Sequence, residues 1–215
     1  MFWKDAGLFM PILLEGLWLT IVVTIGSLLL STALGLIWAL MRVSGVNALV
    51  KIAKTVVNGI RGIPILVQLF YIYFVLPELG VTLTALQASI IGLGIAYSAY
   101  QAENFRAGIE AIDHGQVEAA QSLGMGWVLT MRRVILPQAV RIVLPPYGNT
   151  MVMMLKDSSQ ASTITVAELT LKGQMLAAST FKNSTVFTLV AALYLVMSVP
   201  LILLVGRLEK KFGRK

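Results

Sequence analysis

The chain has 215 residues, of which 57% are hydrophobic and 13% charged, carries a formal net charge of +7 and contains no cysteine. An ordinary soluble domain is roughly 25% charged, so the composition excludes a soluble globular protein, and the missing cysteines exclude a disulfide framework or a thiolate metal site. The positive balance raises nucleic acid as a partner, but the basic residues are distributed by loop, and no nucleic-acid partner is expected.

The first charge-free run, Gly16 to Met41, exceeds the ~20 residues a bilayer span requires, and a span is expected over about 14–41. The run is too long for the apolar core of a signal peptide and no small-residue cleavage site follows a compact basic start, so the N-terminus is expected to be retained. A basic loop follows with Arg42, Lys51, Lys54 and Arg61. The run from Gly62 to Pro77 is short, and serves as a second span over about 60–77 if it borrows residues on the Ile60 side or the bilayer yields. Leu79 to Ala102 supplies a third, about 84–102, in which Gly92 and Gly94 read as helix packing through small residues.

The long polar stretch that comes next holds a coupling loop over about 110–137. Asp113 to Arg133 reads as two short helices with a bend. Glu118, Ala119, Ala120 and Leu123 form helix well, Gly124 sits where a left-handed terminating residue is needed, and Gly126 follows. A second helical stretch runs from Trp127 to about Ile135 and stops before Pro137. This elbow has no catalytic group; small residues, one carboxylate and a rigid bend are the properties of a docking surface for another protein. The one histidine, His114, reads as an exposed loop residue without chemistry.

The fourth span, about 146–167, is interrupted by Pro145, Pro146, Gly148 and Asn149. A helix beginning after Pro137 would carry Lys156 ~30 Å along it; one beginning at Pro146, with residues 138–145 along the interface, puts Lys156 and Asp157 ~15 Å in, near the midplane. The second arrangement is favoured because it makes Ala161 to Ala167 an apolar continuation and keeps Arg141 at the basic interface. Glu168 to Asn183 reads as an outer loop with some helix, tied down by Leu169, Leu171, Met175 and Leu176. Asn183 to Gly206 gives the fifth span, about 186–206, and a basic tail of Arg207, Lys210, Lys211, Arg214 and Lys215 closes the chain.

Of the 17 Lys and Arg, all but Lys4, Lys156, Lys172 and Lys182 fall on alternate loops. By the positive-inside rule this sets the N-terminus outside and the C-terminus in the cytoplasm. The expectation is an all-α membrane protein of five transmembrane helices with a cytoplasmic elbow, residues 1–215 forming a single domain.

Convergent reactive groups are absent: there is no HExxH pair, glycine-flanked nucleophilic serine or phosphate loop ending in Lys-Ser or Lys-Thr. Any ATP hydrolysis belongs to another chain. For Gln68, Tyr71 and Tyr73, interhelical hydrogen bonding is favoured over ligand contact. Glu103 has two readings, an ion pair with Arg106 or a place on a substrate path. Lys156 and Asp157 diverge by ~100° as helical neighbours, so each is expected to face a partner or a wet cavity. With Ser159 they are candidates for the border of a substrate path; pairing with a neighbouring helix is the alternative.

Four stretches carry a resemblance. Glu118-Ala119-Ala120-x3-Gly124 followed by Ile135-Leu136-Pro137-Gln138-Ala139 looks like the EAA loop of the membrane-spanning permease subunits of bacterial ABC importers. Arg61 to Phe70, Ala102 to Ile109 and Leu155 to Ser159 resemble the polar amino acid permeases of the histidine, glutamine and arginine type, and the likeness covers roughly residues 8–210. The resemblance implies a multi-pass protein of the bacterial cytoplasmic (inner) membrane whose elbow is the coupling helix, seated in a cleft of a cytoplasmic ATPase. Glu118 then matches the loop's acidic residue and Gly124 its turn glycine, beside Ala119 and Ala120. It further implies a second permease subunit, identical or homologous, two ATPase subunits that bind the ATP and Mg, an extracytoplasmic binding protein, and no cofactor in this chain. One departure is Gln160-Ala161-Ser162, where family members usually continue with Leu-Val-Ser. An ATP-independent channel or secondary carrier, or a membrane scaffold, are the alternatives.

Overall fold

The structure, a computed structural model, describes residues 2–212; Arg214 and Lys215 of the basic tail lie outside the described residues. Helix α1 (Phe2–Val43) begins well before the charge-free run. Its inward face carries Phe9 and Leu13 in the first part, and from Gly16 on, Val23 apart, it is made of small residues, Gly16, Thr20, Thr24, Ser27, Ser31, Gly35 and Ala39. Lipid tails are as apolar as leucine, so two helices in a bilayer associate by close approach and hydrogen bonding rather than by escape from water. Gly35 is where the approach is tightest: a β-carbon there would stand 2.7 Å from the β-carbon of Gln101 and 3.0 Å from the Ser98 carbonyl.

Helix α2 (Asn47–Gly62) is amphipathic and ends where Ile63 is extended, at φ −109° and ψ 130°, as a residue before proline prefers. The chain bends by 98° into α3 (Ile65–Phe70), which continues through a wide turn at Tyr71–Val75 and a tight one at Leu76–Leu79. The expected second span at about 60–77 thus contains this bend, between Gly62 and Ile65. Gln68 explains part of the bend: its amide donates to the carbonyls of Ile60 (2.9 Å) and Ile63 (2.8 Å), capping α2 from the first turns of α3.

A capping box between Thr84 and Gln87 starts α4 (Ala85–Glu110). Gly92 and Gly94 serve as expected for small residues, since a β-carbon at either would lie 2.6 Å from a methyl of Leu69 or Leu30. Helices α5 (His114–Ser122) and α6 (Trp127–Thr130) form the elbow, with His114 exposed. The second stretch does not stop before Pro137; it passes through a wide turn at Met131–Ile135 into α7 (Leu136–Asp157), with Pro137 in the first turn. There a proline's missing N–H has no partner to lose. Both wide turns of the chain lie just ahead of a proline, Pro77 and Pro137.

Helix α7 is also continuous across Pro145 and Pro146, against the expectation of a helix beginning at Pro146. The two prolines deprive the carbonyls of Arg141 and Ile142 of their helical donors, but Arg141 is exposed, and prolines are tolerated in membrane helices where neighbours support the backbone. Lys156 consequently lies ~30 Å along the helix from Leu136. Beyond Asp157, Ser158–Ile164 forms a tight 3-10 stretch ending in a left-handed Thr165 (φ 68°), so Ala161 to Ala167 do not continue the helix. Helix α8 (Leu169–Thr180) follows and packs on α1 and on α9 (Asn183–Phe212). Leu169 and Leu176 anchor it as expected, whereas Met175 is exposed. Glu168, fully buried, caps α8 and accepts from the Leu171 amide (2.9 Å), Tyr194 Oη (2.9 Å) and Thr20 Oγ1 (3.3 Å).

Helices α1 and α9 are each long and apolar enough to cross a membrane, and the bent pair α2–α3 adds a third if it is one span.

Gly35→Val is expected to cost about 1–3 kcal/mol, because the obstacle is backbone and a β-carbon that cannot rotate away. Gly59→Ala, with open space around it, is expected to leave stability unchanged or slightly higher. Thermal midpoints of both variants in detergent test this, and equal midpoints would refute the close-packing account.

Candidate functional site

Asp113 starts α5 by accepting from the Gly115 amide (2.8 Å), and the helix ends in a Schellman arrangement. The Met125 amide donates to Ala120 O (3.1 Å) and the Gly124 amide to Gln121 O (2.9 Å), with Gly124 at φ 76°. The bend thus rests on a residue without a β-carbon, as the sequence implies. Glu118, Ala119 and Gly124 are exposed, while Ala120 is buried on the inner side. Leu123 and Val128 are 83% and 71% exposed and Trp127 stands out beside them, a large apolar area for a polar loop.

The inner side of the elbow is fastened. Val117 packs on a small apolar core of Ile109, Ile112, Met131, Ile135 and Ala139, which joins the end of α4 to the start of α7. Gln138 adds a side-chain bond of 2.6 Å to Gln116 Oε1. These contacts tie the elbow to α4 and α7.

At the far end of α7 the candidate path residues meet α4. Asp157 Oδ2 accepts from Tyr97 Oη at 2.6 Å, and Tyr97 is buried. Sequence reasoning did not link the two, because they are far apart in the chain and a tyrosine in an apolar helix points at no partner by itself. Lys156 is exposed and forms no ion pair among the described residues, while Ser159 and Gln160 are half-buried in the turn that follows. The Tyr73 hydroxyl meets Thr165 Oγ1 (3.3 Å) on the same rim.

Glu103 is elsewhere, ~9 Å along α4 from Tyr97. It pairs with Arg106 (2.7 Å), with Arg42 of α1 and, at 3.9 Å, with Arg61 of α2; Arg106 also pairs with Glu110. The ion-pair reading of Glu103 holds, in a larger cluster than the sequence suggested, because Arg42 and Arg61 end helices that converge on α4. Among the described residues no group of His, Asp or Glu could hold a metal ion.

Residues 31–214 match the family described as binding-protein-dependent transport system inner membrane component. The probable amino-acid ABC transporter permease PatM of Vibrio harveyi is 41% identical over 86% of this chain and 84% of its own. The L-cystine transport system permease TcyB of Bacillus subtilis (strain 168) is 39% identical over 96% and 88%. A crystal structure of an amino acid ABC transporter with histidines superposes with a TM-score of 0.90 at 36% identity, covering 97% of both chains. The methionine ABC transporter MetNI, in an inward-facing conformation, shares the fold at 22% identity, with a TM-score of 0.79 over 95% of this chain and 98% of that one. The match over residues 31–214, together with relatives 39% and 41% identical along most of both chains, places the all-helical chain in the family of inner membrane components of binding-protein-dependent transport systems.

Proposed function

We propose that the chain is the permease subunit of an ATP-driven importer and forms the translocation pathway for a polar amino acid delivered by an extracytoplasmic binding protein. The observation that carries this is the elbow: exposed and apolar on its outer side, bolted to α4 and α7 on its inner side. Such a part has no use in a channel working alone. It fits a cytoplasmic ATPase, which binds the ATP and Mg; the chain itself is not an enzyme. The relatives named above, amino-acid permeases by description, support the substrate class.

In this reading α1, α3 with the two turns that extend it to Leu79, α4, α7 and α9 are the five spans, with the N-terminus outside and the elbow and C-terminus in the cytoplasm, and a second permease completes the pathway. The continuous α7 is the mechanical link: a displacement of the elbow at Gln116–Gln138 is carried along one rigid helix to Lys156 and Asp157. These two and Ser159 border the substrate path. An amino acid crossing a low-dielectric passage needs partners of both signs, and a free ammonium beside a hydrogen-bonded carboxylate supplies them. Glu103 serves this mechanism as a brace, holding the ends of α1 and α2 to α4.

Gly124→Leu and Glu118→Lys are expected to leave the protein inserted and to lower ATPase co-purification and substrate-stimulated hydrolysis. At Gly124 space is open, so the penalty comes from the left-handed backbone, about 1–2 kcal/mol. Unchanged values in both variants would remove the coupling assignment.

Topology is tested by single cysteines, which a chain without native cysteine makes clean. Trp3→Cys should react with an impermeant maleimide on intact cells, and Phe212→Cys only after permeabilisation; the reverse pattern would overturn the orientation.

Asp157→Asn and Lys156→Met are expected to preserve assembly and basal hydrolysis while abolishing transport or changing substrate preference. Wild-type transport with unaltered preference in well-assembled protein would exclude the path role.

A further inference from the structure

A groove of about 370 Å³ runs along the outside of the molecule between α1, α4 and α7, and the elbow and path do not use it. Its walls are Leu36 of α1, Phe105 and Ile109 of α4, and Leu136, Val140 and Val143 of α7. The polar groups that reach it, Thr32 and Tyr147, are spent on each other: the hydroxyls are 2.9 Å apart, and the Thr32 hydrogen is committed to Leu28 O at 2.6 Å, so Tyr147 donates. An occupant therefore finds an apolar surface with no hydrogen bond on offer.

Three observations say what that occupant is. First, α7 is two-faced. At 3.6 residues per turn, Leu136, Val140, Val143 and Tyr147 lie on one side, and the exposed Arg141, Asn149 and Lys156 fall on the opposite side. The groove thus turns away from the polar face. Second, the wall from Leu136 to Tyr147 rises ~16 Å, about half of the ~30 Å hydrocarbon core, which is the depth of one leaflet. Third, Arg132 and Arg133 lie in the wide turn that leads directly into α7, about one turn before Leu136. Both arginines are exposed and neither forms an ion pair among the described residues. Their side chains lean toward the helix N-terminus, away from the groove and toward the headgroup level.

We infer that this groove is a binding site for one anionic phospholipid, with an acyl chain along Leu136, Val140 and Val143 and its phosphate at Arg132 and Arg133. Basic clusters at the cytoplasmic edge between membrane helices recognise anionic headgroups in this way. The site goes beyond the transport reading and rests on it only in that α7 enters the bilayer at its Leu136 end; neither the substrate nor the ATPase assignment is used.

The test is native mass spectrometry of the full chain, delipidated in detergent and titrated with phosphatidylglycerol or phosphatidylcholine. The wild type should retain one phosphatidylglycerol in preference to phosphatidylcholine by about fivefold for each arginine, roughly 25-fold together. R132Q/R133Q should abolish that preference, whereas K210Q/K211Q, which removes the same charge from α9, should keep it. Val140→Trp, filling the groove, should lose the retained lipid with an unchanged thermal midpoint. Equal retention of the two lipids by the wild type, or a preference that survives R132Q/R133Q, would overturn the site. So would disulfide-linked dimers of V140C in membranes, which would show that a second copy covers the groove. Because no readout involves transport or hydrolysis, failure here is distinct from failure of the coupling or path assignments.

Discussion

The rest of the molecule depends on how closely α1 and α4 approach. Around Gly35, a β-carbon would collide with Gln101 and the Ser98 carbonyl, so the two helices meet backbone to side-chain root along the buried faces that both devote to small residues. This contact sets the position of α4, and α4 carries several of the polar assemblies of the frame. Tyr97 on it fixes Asp157, and Asn104 bonds Thr150 of α7 at 3.0 Å. Glu103 gathers the arginines that end α1 and α2. In a bilayer, where apolar surface gives no preference for one helix over another, such close contacts and satisfied hydrogen bonds are what specify neighbours.

In the proposed coupling, helix α7 is the part of that frame that transmits force. Its start shares an apolar core with the elbow and its end carries the Lys156-Asp157 pair, with two prolines in between that do not break it. The wide turn before Pro137 lets the chain run from elbow to helix without a loop. The same helix separates two environments, one side lined by Arg141, Asn149 and Lys156 and the other by the apolar groove.

Local pattern made a good part of this legible. The low charge and long apolar runs named the fold class, and the spacing of Glu118, Ala119, Ala120 and Gly124 gave both the elbow and its left-handed turn, because a helix that ends in a Schellman motif requires glycine at one defined position. Glycines 92 and 94 announced close packing for the reason the structure displays, and Glu103 with Arg106 three residues on announced an ion pair.

What the sequence could not determine was decided by contacts between distant segments. Pro145 and Pro146 read locally as a helix start; they lie mid-helix because the packing of α4 and α9 against α7 holds the backbone through two missing donors. Gln68 read as a residue for interhelical hydrogen bonding, as it is, but its partners at the end of α2 follow from the 98° bend before it. Asp157 acquires Tyr97, Glu103 acquires Arg42, and Glu168 acquires Thr20 and Tyr194 only once α1, α4, α7 and α9 are side by side. Propensity, charge and turn chemistry act over a few residues and are written in the chain; the partner of a buried polar group is chosen by the three-dimensional approach of helices, which no local spacing encodes.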